Sequence, residues 1–297
     1  MSLTDIVEDY LLGWVLLAVA IGVLVPGVAV VTRAATPILA LMVGSVSLTL
    51  SVSRFRAIEG RALAVTLLGH LLMPLLAYGI ARAAELSPEL TVGFVLLGAV
   101  TPELVTPTMT ELAGGNTALS SVVLVIAGLG STVVVPAAMS LVGGEGSTVQ
   151  TWPIVEQLLV AVVVPMVLAI GLRARFPATV MRHEDSYPAI SAVMVVLIIG
   201  GVTAANAGVL RGDIGAVALV GIAALALNVV GYALGWLVTA GTDRATRLAG
   251  SLSVGMRDFA VAAALVVAAG FPPDAALPAV VFGVVEMATS AGLAQRF

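Results

Sequence analysis

Cysteine is absent from this 297-residue chain, and so is lysine: all 13 basic residues are arginines. Without cysteine there is no disulfide, no thiolate metal site and no cysteine nucleophile. Charge of either sign is scarce. Only 10% of the residues are charged, against 60% hydrophobic, and mean hydropathy is +1.14. A soluble domain averages about 25% charged and about 45–50% apolar residues. The composition excludes a separate soluble domain and reads as an integral membrane protein with little mass outside the bilayer. The net charge of −4 says little about partners, because most charge falls in short connections. Phosphate-binding loops, HExxH, CxxC and a nucleophile elbow are also missing, so nothing points to an enzyme or an ATP-driven pump.

What is present is a succession of long apolar runs. A span needs about 20 mainly apolar residues to cross roughly 30 Å of hydrocarbon. Ten segments qualify: Tyr10–Val31, Thr36–Val52, Ala62–Ile80, Leu90–Leu112, Ala118–Leu141, Ile154–Leu172, Ala189–Val209, Ile214–Ala240, Leu248–Ala269 and Ala275–Ala294. The N-terminal "MSLTDIVEDY" is acidic rather than basic, so the first run is read as a genuine span and not a signal peptide. Backbone groups in lipid must bond internally, so the expected fold class is an all-α integral membrane protein. Ten spans put both termini on one side. If that side is cytoplasmic, Arg54, Arg56, Arg61, Arg173, Arg175, Arg182, Arg244, Arg247 and Arg296 lie inside, and Arg33, Arg82 and Arg211 outside. That asymmetry is the positive-inside pattern expected of a plasma-membrane protein with cytoplasmic termini.

One transmembrane domain covers 1–297. The longest loop, near residue 180, follows the sixth span. Division into two sets of five gives halves of 1–145 and 146–297, and because five is odd the second would lie inverted relative to the first. Inverted repeats are a common plan of secondary transporters, and helix interruptions at corresponding places mark their transport sites. The fourth segment holds "AVTPELVTPTMTELAGGN", with Pro102 and Pro107 near its middle. The ninth holds "SLSVGMRDF", with Gly255 and polar neighbours.

Five charged residues fall well inside spans: Glu103, Glu156, Arg257, Asp258 and Glu286. Such charges cost about 2.5–3.5 kcal/mol or more and usually face the bundle interior or a water-filled cavity. Glu156 sits in the first turn of its span, where the interface solvates it. Glu286 lines the core or is a hydrogen-bonded structural carboxylate. Glu103, Arg257 and Asp258 sit at the two expected breaks, where they form either a helix-locking salt bridge or a substrate and ion site. Neighbours on a helix point about 100° apart, so Arg257 and Asp258 each need another partner, and Glu103 is the candidate for Arg257. Thr101, Thr106, Thr108, Thr110, Asn116, Ser120 and Ser253 crowd around the same places. His70 is a packing residue or a proton relay, and Asn228 is interhelical glue or cavity lining.

At these residues the chain resembles the bile acid:sodium symporter family. "MTELAGGNTALS" (109–120), "SAVMVVLIIGGV" (191–202), "NVVGYALGW" (228–236), "SVGMRDFAVAAAL" (253–265) and "PAVVFGVVEMATSAGLA" (278–294) match family segments in order. The resemblance implies ten helices in two inverted five-helix repeats. It also implies a panel of spans 1, 2, 6 and 7, a core of spans 3–5 and 8–10, and discontinuous spans 4 and 9 crossing in the core. Members carry organic anions with sodium by alternating access. A Ser–Asn pair of the family is Thr106–Pro107 here. A serine is kept as Ser120, and a threonine one turn on aligns with Leu124. The glutamate before "VGM" is Ser253, the following glutamine and asparagine are Arg257 and Asp258, and a glutamine of span three is Gly69.

The implied substrate-binding set is Arg257, Asp258, Thr106, Thr108, Asn228 and Glu286. The implied ion-binding set is Glu103, Thr106, Ser120, Ser253, Val254, Met256 and Asp258. No cofactor is expected beyond Na+ or H+ as coupling ion. The expected partners are a small organic anion and the lipid bilayer. With Arg257 in the electrostatic place of a sodium ion, transport is sodium-independent or proton-coupled. A rival version keeps sodium at a rebuilt site of Ser120, Thr106, Glu103 and Asp258. Other readings are a cation/proton exchanger, an arsenite-type efflux carrier and a non-transporting membrane sensor, the last favoured by a core sealed around Arg257.

Overall fold

The computed structural model describes residues 10–50, 58–140, 142 and 151–296. Arg54, Arg56 and the loop at 143–150 lie outside the described residues, as does Leu141, the expected end of the fifth span.

Among the described residues every regular element is helical. The helices are α1 (Leu11–Leu24), α2 (Ala35–Ser47), α3 (Gly60–Ala83), α4 (Pro88–Ala99), α5 (Thr106–Leu112), α6 (Thr117–Met139), α7 (Thr151–Leu158), α8 (Val164–Arg175), α9 (Pro177–Met181), α10 (Tyr187–Ala205), α11 (Ala207–Gly212), α12 (Ile214–Val238), α13 (Arg244–Gly255), α14 (Phe259–Ala268) and α15 (Leu277–Arg296). A 3-10 run over Pro26–Ala34 leads into α2, and a π turn over Leu159–Val163 joins α7 to α8. Among the described residues seven helical stretches are long and apolar enough to cross a bilayer. Helices α1 and α4 are apolar but shorter, and α15 covers the tenth expected segment. The expected first span, Tyr10–Val31, is therefore corrected: its α-helix stops at Leu24. Proline at 26 has no N–H to give and disfavours helical backbone at Val25.

Start signals are local. Ser87, Asn116, Asp213 and Asp243 each accept the backbone N–H three residues on, capping α4, α6, α12 and α13. These caps satisfy otherwise orphaned amides. Asp243 sits in the loop before α13, where the Thr246 amide and hydroxyl hold its carboxylate below the ordinary value of 3.8.

Packing sorts the helices. Helix α10 lies along α1 and α2, and α2 packs on α8. Helix α12 packs on α13, α15 and α3, while α3 packs on α4 and α6. Helix α14 touches both groups, meeting α15 and α4 on one side and α2, α7 and α10 on the other. Outward-facing Val133, Leu168 and Ile222 are exposed, as a surface solvated by lipid tails requires. The α12–α13 contact is glycine-made. A Cβ on Gly235 would fall 2.2 Å from the Gly250 carbonyl oxygen, and one on Gly255 2.1 Å from the Tyr232 ring. Small residues let helix backbones approach where lipid gives no hydrophobic driving force between them.

Candidate functional site

Two helices of the interior are interrupted, at the two places the sequence marks. Helix α4 ends at Ala99, Val100 is extended (φ −68°, ψ 169°), and α5 starts at Thr106. Pro102 cannot donate, and Pro107 falls in the first turn of α5, where a missing N–H costs nothing. The second break is shorter. Helix α13 ends at Gly255, Met256 is extended (φ −81°, ψ 137°), and Asp258 caps α14. The breaks touch: the Asp258 N–H donates to the Thr101 carbonyl at 3.0 Å, and the Thr106 hydroxyl donates to Met256 Sδ at 3.8 Å.

Breaking α13 frees backbone groups that side chains then satisfy. The Arg257 N–H donates to Glu286 Oε2 at 2.6 Å. The Gly255 carbonyl accepts from Asn228 Nδ2 at 3.2 Å, and Asn228 Oδ1 accepts from the Thr289 hydroxyl at 2.7 Å. Asp258 Oδ1 accepts the Val261 N–H at 2.8 Å. Among the described residues Arg257 is the largest fully buried side chain. Its Nη1 lies 2.6 Å from His70 Nδ1 and donates to the Val100 carbonyl at 3.2 Å. The expected partner was Glu103. That expectation is corrected: among the described residues no ion pair joins Arg257 to a carboxylate, and the histidine and a carbonyl freed by the first break take its place. Guanidinium can only donate, and these are the acceptors that meet its Nη1.

Several buried atoms at the crossing have no protein partner: Arg257 Nε and Nη2, Glu103 Oε2, Asp258 Oδ2, Glu286 Oε1 and Ser253 Oγ. Buried polar groups are nearly always hydrogen-bonded, so each such atom calls for an explanation. Glu103 lies in Coulombic range of Asp258 and Glu286 and faces the amides of Leu104 and Phe259. Among the described residues no three acidic or histidine side chains converge closely enough to hold a metal ion.

The sequence-predicted residues divide between two places. Arg257, Asp258, Glu286, Asn228, Glu103, Thr106, Ser253, Val254 and Met256 are buried around the crossing. Thr108 is not: it lines an open crevice of about 350 Å³ with Glu111 of α5, Thr117 and Ser121 of α6, Thr49 and Leu50 after α2, Glu184 and Asp185 before α10, and Pro188 in its first turn. Two residues apart on a helix means about 200° of rotation, so Thr106 and Thr108 point to opposite sides of α5. Ser120 donates to the Thr117 carbonyl at 3.1 Å, a local bond within α6, and Asn116 is the cap of that helix. Glu156 is exposed, in keeping with interface solvation. A second cavity of about 230 Å³, between α12 and α13, is walled mainly by apolar groups that include Tyr232, Trp236 and Leu252. Sequence reasoning left Thr289 out, and it weighed His70 only as a packing residue or a proton relay, not as the partner of Arg257. Neither carries a local signal; only the Gly69–His70 position beside a proline-containing stretch of α3 hinted at His70.

Comparison with known proteins fits this architecture. Residues 36–212 match the model of the Sodium Bile acid symporter family, a stretch that holds the first break but ends before the second. YocS of Bacillus subtilis (strain 168), described as an uncharacterized sodium-dependent transporter, is 30% identical over 218 residues. The similarity spans 72% of this chain and 66% of that protein, just under two thirds of its length. With every regular element helical and seven apolar helices of spanning length among the described residues, and more than half its length matched by that model, the chain belongs to the sodium bile acid symporter family.

Proposed function

We propose that the chain is a secondary transporter of a small organic anion, working by alternating access with its site at the crossing of the two broken helices. The observation that carries this reading is the free edge of Arg257. Nη1 is held by His70 and Val100, which leaves Nε–H and Nη2–H without a protein partner on a fully buried guanidinium. Those two donors form the fork that grips a carboxylate or sulfonate bidentately. The N-terminus of α14 adds a partial positive charge beside it.

The packing supports the architecture on which such motion depends. The group α1, α2, α7–α8 and α10 corresponds to a panel, and the group α3–α6 with α12–α15 to a core, each half of the chain supplying one broken helix. In this reading ten helices form two inverted repeats, 1–145 and 146–297, with both termini cytoplasmic in the plasma membrane. The crevice at Thr108 is the solvent-filled approach between panel and core, and α5 separates it from Arg257.

A thermal-shift screen of small carboxylates and sulfonates on the purified chain tests the reading. A true ligand at 100 times its Kd stabilises by about 2.7 kcal/mol. The effect should vanish in Arg257→Gln, and the same compound should be taken up by proteoliposomes. No stabilisation by any anion, with no uptake, would sink it. One observation favours a second reading. Arg257 has no exposed surface, as a non-transporting sensor with a sealed core would have. Ligand-induced stabilisation without flux would select that reading.

A further inference from the structure

Five ionisable side chains surround the crossing: His70 on α3, Glu103 in the first break, Arg257 and Asp258 in the second, and Glu286 on α15, each 3% exposed or less. Tyr232 of α12 stands behind them, its hydroxyl 3.5 Å from Thr289 and in range of Glu286. His70 contributes no charge. Its Nδ1 faces a guanidinium that can only donate, so that nitrogen carries a lone pair. One arginine then faces three carboxylates in a sealed interior. Fully ionised, the cluster would hold two uncompensated negative charges, which burial makes prohibitive.

The geometry distinguishes the three acids. Glu286 accepts the Arg257 N–H at 2.6 Å and lies in the field of its guanidinium. Asp258 caps α14, a ten-residue helix, and its charge sits on that helix's positive end. Glu103 has neither. No cation stands within ion-pair distance of it among the described residues, and its Oε2 has no partner. A substrate carboxylate on the free edge of Arg257 would add one more negative charge to the same space, so loading an anion demands a compensating cation.

We infer that Glu103 is the coupling-ion site and that the ion is a proton, Arg257 being a tethered cation that leaves no need for sodium. The inference rests on the transporter reading above. A proton from water on the open side forms an O–H bond at Glu103 Oε2 in the empty carrier, and the anion docks on that protonated form. After the core reorients, that bond breaks and the proton leaves to water on the other side with the anion.

Infrared spectroscopy of the full chain in proteoliposomes tests this without any substrate. The wild type at neutral pH should show the carbonyl stretch of a protonated carboxylic acid, shifted in D2O. The band should disappear in Glu103→Gln and persist in Glu286→Gln and Glu111→Gln. The Tm of the wild type should be the same in sodium chloride and in choline chloride of equal ionic strength. If Glu103→Gln does not fold, Glu103→Asp should keep the band at a shifted frequency. A wild type without the band, a band that survives Glu103→Gln, or a Tm that climbs with sodium would overturn the inference. Any of these would leave the transporter reading standing, because that reading is decided by anion stabilisation and uptake.

Discussion

Nη1 of Arg257 lies 2.6 Å from Nδ1 of His70, a contact between residues 187 positions apart in the chain. It ties the second helix break to α3 and fixes the guanidinium so that its other edge is free. The histidine therefore positions the arginine, although it has no carboxylate chemistry of its own.

Replacing His70 with alanine leaves Nη1 only the Val100 carbonyl. Hydrogen bonds to charged groups contribute about 1.5–3 kcal/mol, so affinity for a carboxylate ligand should fall by about 10- to 100-fold. His70→Gln retains an acceptor and should recover part of the loss. Ligand titration by thermal shift on the three proteins checks it. Equal affinity in all three would mean that Arg257 is held by other means.

Adding a methyl group at Gly255 places a Cβ 2.1 Å from the Tyr232 ring. Overpacking of this kind costs about 1–3 kcal/mol, and it falls where α13 must end and the break begin. Gly255→Ala should lower Tm, and Tyr232→Ala in the same chain should restore part of it, since contacting residues are not additive. A Gly255→Ala protein as stable as wild type would show that the α12–α13 contact relaxes freely.

The crevice at Thr108 is lined by Glu111, Glu184 and Asp185. Of these Glu184 is ion-paired, its Oε1 2.8 Å from Arg173 Nη2. The remaining negative charge opposes an approaching anion. Glu111→Gln and Asp185→Asn should each raise the initial uptake rate of the anion at low ionic strength. The advantage should shrink in salt, because exposed charges are screened beyond about 8–10 Å at physiological ionic strength. A rate unchanged at every salt concentration would separate this crevice from the transport path.

Asp243 accepts the Thr246 N–H at 2.8 Å and the Thr246 hydroxyl at 3.1 Å, capping α13. Losing the cap in Asp243→Ala should cost about 1 kcal/mol. The sign of the pH dependence follows from a carboxylate held below its ordinary 3.8. The stabilisation is complete above that value and is lost as pH falls through the lower value of the folded chain. Wild type and Asp243→Ala should therefore converge in Tm only in strong acid. Convergence near neutral pH would contradict the cap.

The two breaks were legible because their causes are local. Pro102 and Pro107 interrupt one apolar run, and Gly255 with its polar neighbours the other. The partners of Arg257 were not legible. Whether its guanidinium meets Glu103 or His70 depends on how α3 packs on the crossing, which no spacing along the chain encodes. Single polar side chains also have local partners. Ser120 bonds within its own helix, as serine in a span commonly does, and Asn116 proved a cap. Thr106 and Thr108 looked like one cluster in sequence, but helical rotation sends one to the crossing and the other to the crevice. The first span was mis-sized because hydropathy runs smoothly through Val25–Pro26 while backbone geometry does not.

The most direct test of Arg257 as a tethered cation for a carboxylate is anion uptake into proteoliposomes without sodium, driven by an acid-outside pH gradient. The ligand is the carboxylate that stabilises the purified chain most. The wild type should accumulate it under that gradient, with no further gain from added sodium, and Arg257→Gln should not. Uptake that needs a sodium gradient, or that survives Arg257→Gln unchanged, would contradict the role assigned to Arg257.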